Sequence, residues 1–194
     1  LYILNNLKGI IYINLNNINR AIEQFKKSIN NKKDYIEAYS NLANAYFSNK
    51  NFSESIKIIT TALKYDPNNL KLNFNLAFFL SENHQYQKAI KQYHDTIKLG
   101  YNKEIILNNI GNIYIKEKNY LKAEEYFNEC LKISSSNYLT INNLIRSLIL
   151  KRDFPKAEKY QKKSDKLEIK NNIYYINKAE LLFFSKRYQI LKSK

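Results

Sequence analysis

Residues 106–127 read ILNNIGNIYIKEKNYLKAEEYF. Two asparagines sit in the apolar opening of this stretch, although Asn is an indifferent helix former because its side chain competes for backbone hydrogen bonds. The second of them, Asn109, belongs to a series: Asn41, Asn75, Asn109, Asn143 and Asn177 are each 34 residues apart. Around the first four the local strings are YSNLANAY (39–46), NFNLAFFL (73–80), LNNIGNIY (107–114) and INNLIRSL (141–148). A second string recurs further on, as NINRAIEQF, NFSESIKII, QYQKAIKQY, NYLKAEEYF and DFPKAEKYQ. Two helices per repeat follow, and self-similarity at such a period is the signature of stacked helical units.

Composition agrees. With 194 residues, 44% hydrophobic and 14% aromatic, the chain can bury a substantial core. Three Gly and two Pro leave few turn signals for an all-β fold, whereas long helices need neither, so an all-α chain is expected. The formal charge of +15 invites a nucleic-acid reading. The chain, however, holds 29 Asn, 28 Lys and 26 Ile against four Arg, and the three abundant residues have AT-rich codons. A skewed genome therefore accounts for much of the charge, and the scarcity of Arg, the residue suited to bidentate phosphate contacts, counts against dedicated nucleic-acid readout. The single cysteine, Cys130, excludes an intrachain disulfide framework and fits a reducing intracellular compartment, with the cytoplasm expected. No apolar run reaches the roughly 18 residues of a membrane span. The chain opens on Leu1 and contains no Met, which reads as a piece of a longer protein whose targeting signals would lie elsewhere.

The recurring positions resemble the tetratricopeptide repeat (TPR) family. Leu107, Ile110, Gly111, Tyr114, Ala123 and Phe127 fill that family's positions 4, 7, 8, 11, 20 and 24, and Tyr39, Leu42, Ala43, Tyr46, Ala62 and Pro67 match in another repeat. The resemblance implies an all-α, right-handed α-solenoid of stacked helical hairpins, with five repeats and a partial sixth at about 1–34, 35–69, 70–103, 104–137, 138–171 and 172–194. Within each hairpin the first helix is A and the second B. Small residues on A, Gly111 or Ala43, are expected to meet Ala123 or Ser55 on B, because only small side chains let two backbones approach closely. No repeat buries its apolar face alone, so stacking is obligatory. Aligning LNNL of the first repeat with LNNI of the fourth puts Asn6 in the asparagine series and implies one extra residue in the first inter-helix turn. The fifth repeat carries Ile145 at the small position 8, and the sixth carries Lys178 at position 7.

In this family the A helices line the concave face, and positions 2, 5, 6, 9, 12 and 13 point into the groove. The resemblance thus assigns peptide binding to Asn41, Asn44, Asn75, Phe78, Asn109, Asn112, Asn143, Arg146 and Asn177, with the asparagines of the series all at position 6. A carboxamide both donates and accepts, which suits the recurring amides of an extended peptide. The series resembles the asparagine ladder in the TPR regions of O-linked N-acetylglucosamine transferase and kinesin light chains. Position 6 never holds Arg here, so the mode in which TPR domains clamp a terminal carboxylate is not expected. The function expected is a protein–protein interaction scaffold holding an extended peptide. Alternatives are a substrate-selecting arm of a larger enzyme, such as a glycosyltransferase, phosphatase or isomerase, and a basic RNA-associated helical repeat.

No catalytic, cofactor or metal constellation is expected. His84 and His94 carry no motif that pairs them, Cys130 occupies a small packing position, and Glu124 and Glu125 are adjacent and face different directions. Residues 151–170, KRDFPKAEKYQKKSDKLEIK, intersperse acids among many lysines and read either as a solvated helix face or as a docking patch for an acidic segment or RNA. The apolar openings Leu1 to Leu4 and LLFF at 181–184 lie on terminal helices, and further TPR units or another subunit are expected to cover them.

Overall fold

The computed structural model describes residues 1–192, with side chains through 186. Eleven helices and no strand are found among the described residues: α1 (Tyr2–Asn14), α2 (Ile18–Asn31), α3 (Ile36–Ser48), α4 (Phe52–Ala62), α5 (Leu70–Glu82), α6 (Tyr86–Lys98), α7 (Lys103–Lys116), α8 (Tyr120–Ile133), α9 (Tyr138–Lys151), α10 (Phe154–Asp165) and α11 (Asn172–Lys192). The fold is an α-solenoid of helical hairpins, α1/α2 through α9/α10, followed by α11. The hairpins fall into two compact units, Leu1–Tyr101 and Asn102 onward.

The hairpin turns keep strict time. Asn16, Lys50, His84, Lys118 and Arg152, each 34 residues from the next, all adopt left-handed backbone with φ between 56° and 65°. In each turn the following residue donates back five residues, as Asn119 N does to Tyr114 O at 2.8 Å, which closes the end of the A helix. The spacing corrects the register expected of the first repeat. No residue is inserted in its turn, Asn6 stands at position 5, and Leu7 occupies position 6. In the sixth repeat α11 runs on past residue 186, at which a turn would fall by period. Residues 193 and 194 lie outside the described residues.

Asparagines also begin the helices. Asn17, Asn51, Asn69, Asn102, Asn119, Asn137 and Asn171 each accept a hydrogen bond from the backbone N–H three residues on, satisfying one of the amides that a helix leaves unpaired at its start. Part of the high Asn content is thereby structural.

In the first unit the core joins Ala21, Phe25, Leu42, Ala43, Ile59, Ala62, Leu72 and Phe79 from successive hairpins. In the second it includes Ile110, Ala123, Phe127, Ile141, Leu144, Ile145 and Ala157. Gly111 does not face Ala123 first, as expected: the atoms nearest its missing Cβ belong to the Phe127 ring, and Gly9 faces Phe25 in the same way. The small residue makes room for an aromatic ring on B. Neighbouring A helices also meet, α1 with α3 in the first unit, and α7 with α9 and α9 with α11 in the second.

Candidate functional site

The A helices present position 6 one hairpin after another, and the carboxamides there meet different fates. In the first unit Asn41 Nδ2 donates to Asn6 Oδ1 at 3.0 Å. In the second, Asn143 Nδ2 donates to Asn108 Oδ1 at 3.1 Å, and Asn177 Nδ2 to the Asn142 carbonyl at 2.7 Å. In all three the acceptor is the position-5 residue of the preceding hairpin, 35 residues back. Asn177 is 1% exposed, so its amide is spent inside the stack. Asn109 Nδ2 turns back on its own helix to the Ile105 carbonyl at 3.0 Å.

The remaining candidates are unspent. Asn44 and Arg146 are exposed, Asn75, Phe78 and Asn112 are half-buried, and among the described residues the four polar side chains make no hydrogen bond or ion pair. Phe78 lies in an aromatic group of the first unit: the Phe47 ring stands 5.2 Å from Phe78, 4.9 Å from Phe79 and 5.3 Å from Phe52. Phe74 stacks on Tyr101 at 4.7 Å. Sequence reasoning missed the position-5 acceptors Asn6, Asn108 and Asn142, although a 35-residue spacing from an Asn to the next ladder Asn was there to find.

Glu124 on α8, largely buried, receives Lys151 Nζ from α9 at 2.9 Å and Lys156 Nζ from α10 at 3.0 Å, and Asp153 lies within 4.0 Å of both ammonium groups. Burial pushes the Glu124 carboxyl up, but the two lysines outweigh it and hold it below the usual glutamate range. Asp165 behaves alike: burial raises it, while hydrogen bonds from Tyr174, Gln161 and Lys178 bring it below its ordinary value. In the first unit burial and the Tyr65 hydroxyl push Tyr39 up to about 12, and its own hydroxyl donates to the Lys33 carbonyl at 2.9 Å.

Reactive side chains are otherwise engaged. Cys130 is buried between the Glu104 carbonyl and Thr140 Oγ1, and burial raises its thiol. His84 sits in a turn with Nδ1 2.8 Å from the Tyr86 hydroxyl. Among the described residues no cluster of His, Cys, Asp and Glu is arranged to hold a metal ion, and no helix is long and apolar enough to cross a membrane.

Three tetratricopeptide repeat family models match the sequence, one at residues 36–69 and 105–137, one at 58–91 and one at 9–50. No curated protein matches it. Among solved structures, a tetratricopeptide repeat protein from Parabacteroides merdae superposes with a TM-score of 0.79 at 17% identity, covering 99% of this chain and 76% of that one. The pilF protein of Pseudomonas aeruginosa gives 0.72 at 18% identity, covering 99% and 87%. YrrB, described as a TPR protein with an unusual peptide-binding site, gives 0.65 at 16% identity, covering 90% of each chain.

Proposed function

Because this chain belongs to the tetratricopeptide repeat family, we propose that it works as a protein-interaction scaffold whose A-helix faces hold an extended peptide segment. The observation that carries the proposal is the contrast among its asparagines. Asn41, Asn143 and Asn177 brace one hairpin against the next, whereas Asn44 and Asn75 in the first unit and Asn112 in the second keep whole carboxamides unpaired. An unpaired half-buried carboxamide on a helix surface is an offer of one donor and one acceptor to an incoming backbone amide. Phe47 and Phe78 supply apolar surface beside them for a side chain of the peptide. The fold is shared with YrrB, whose own peptide-binding site lends the reading analogy but no residue.

Selection of binders from an array of random peptides, followed by calorimetric titration, tests the proposal. Asn44→Ala with Asn75→Ala should weaken a peptide bound to the first unit by about fivefold or more, equivalent to about 1 kcal/mol for a lost paired contact, with the melting temperature unchanged. Asn112→Ala with Arg146→Ala is the matching pair for the second unit. Asn177→Ala should instead lower the melting temperature, because it removes a buried hydrogen bond that ties α11 to the Asn142 carbonyl of α9. Unchanged affinity in both double variants, with the fold intact, overturns the reading.

A further inference from the structure

Lys159, Lys162, Lys163 and Lys166 recur on α10 and its C-terminal cap at i, i+3, i+4 and i+7, which sets four ammonium groups in one stripe about 10 Å long at 1.5 Å per residue. All four are exposed, and with Pro155 and Glu158 they line an open depression of about 470 Å³. Phe154, Ala157, Gln161 and Ser164 form the buried side of the same helix. The stripe therefore faces away from the neighbours α9 and α11.

The fate of the surrounding carboxylates sets this stripe apart. Glu124 and Asp153 hold Lys151 and Lys156, and Asp165 is committed to Lys178, Gln161 and Tyr174. Elsewhere Glu54, Asp95 and Glu129 hold Lys57, Lys98 and Lys103. Among the described residues none of the four ammonium groups of the stripe makes an ion pair or hydrogen bond, and Glu158, one turn before Lys162, stays outside ion-pairing distance. Neighbouring like charges at i+3 and i+4 are unfavourable on a helix, so the arrangement leaves a repulsion that carboxylates from another chain would relieve.

We infer that this stripe is a docking surface for an acidic helical peptide whose own carboxylates recur at three- and four-residue spacing. The occupant follows from charge complementarity. A lysine ammonium is a point charge that accepts a carboxylate in any orientation, whereas a phosphate-reading surface favours Arg and a single-strand platform needs exposed rings. The stripe has no Arg, and Tyr160, the ring interleaved with it, gives its hydroxyl to Asn128 Oδ1 at 3.0 Å. The aliphatic stems of the lysines and Pro155 give the depression an apolar floor for a side chain between the partner's acids.

Fluorescence anisotropy on the whole chain at low salt tests this. The probe is a labelled alanine-rich peptide with Glu in one helical stripe, compared with a peptide of equal composition whose Glu residues are spread around the helix. Replacing Lys159, Lys162, Lys163 and Lys166 with Gln should weaken the striped probe by at least about tenfold, and Lys159→Gln with Lys163→Gln should give an intermediate loss. Replacing Lys27, Lys64, Lys88 and Lys91 with Gln removes the same net charge elsewhere and should cost less than about threefold. Circular dichroism checks that every variant folds. The inference is overturned if the control quadruple loses as much affinity, if the striped and spread peptides bind alike, or if oligouridine or phosphatidylserine vesicles depend on the stripe more strongly than the peptide does.

Discussion

Gly111 carries more consequence than any ladder asparagine. A Cβ at that position would stand 2.4 Å from the Phe127 Cε1 atom, and one at Gly9 would stand 2.4 Å from the Phe25 Cε1 atom, so the ring on B occupies the space a side chain on A would need. Position 8 is Gly where position 24 is Phe, and takes Ile145 in the repeat whose position 24 is Gln161. One volume is shared between two helices. Both Phe127 and Phe25 are fully buried and cannot swing aside. Gly111→Val should therefore cost about 2 kcal/mol, an overpacking penalty of about 1–3 kcal/mol less a few tenths regained in helix propensity. Urea unfolding measures it, and adding Phe127→Leu should restore part of the loss. Absence of destabilisation in the single variant would mean that the two side chains do not compete.

Among the helices, the ends are where sequence and structure diverge most. The five inter-helix turns all need a left-handed residue, and not one of them uses Gly; Asn16, Lys50, His84, Lys118 and Arg152 take the position instead. A non-Gly residue there costs roughly 1–2 kcal/mol, and Gly would return about 0.5–1 kcal/mol of that as lost chain entropy. Lys118→Gly should accordingly raise stability by about 0.5–1 kcal/mol in thermal or urea unfolding. Asn16→Gly should gain less, since Asn tolerates the left-handed region. Equal gains, or none, would show that the turns are held by contacts other than backbone preference. A search for turns by Gly and Pro could not have found these positions. The 34-residue period could, because a helix hairpin returns to the same geometry at the same interval whichever residue fills the bend.

Within each unit hairpins are stabilised by the ones beside them, α2 against α3 and α4 against α5 in the first, α8 against α9 and α10 against α11 in the second, and acid should therefore act locally. Glu124 ties α8 to α9 and α10 through Lys151 and Lys156. Its folded pKa lies below its unfolded one, so its contribution is present above the unfolded value of about 4.3 and is lost as pH falls through the folded value. Hydrogen exchange should show α9 and α10 losing protection as pH falls below about 4.3, while Glu124→Gln, already without the carboxylate, changes less over the same descent. Parallel loss in both proteins would remove the ion cluster from the stacking of these hairpins. The exposed termini follow the same neighbour rule: Leu4 is 50% and Ile11 55% exposed on α1, whereas the residues one period on, Ala38 and Ala45, are buried.

The sequence by itself determined the period, the helical hairpins, the family and the positions that must be small or aromatic. These are legible because packing imposes the same residue types at the same interval in every repeat. It also placed Asn41, Asn75, Asn109, Asn143 and Asn177 in one line. Only the tertiary structure decided what each of them does. A carboxamide carries the same groups everywhere, and its role depends on whether the fold brings an acceptor of the preceding hairpin, side chain or main chain, within its reach. Asn6, Asn108 and Asn142 do so for Asn41, Asn143 and Asn177, and Asn75 is left without a partner. The first repeat's register was settled in the same way. LNNL and LNNI match as strings, but the ring of Phe25 against Gly9 and the left-handed bend at Asn16 set the alignment one residue over, because volume and backbone geometry, rather than letters, determine which residues face each other.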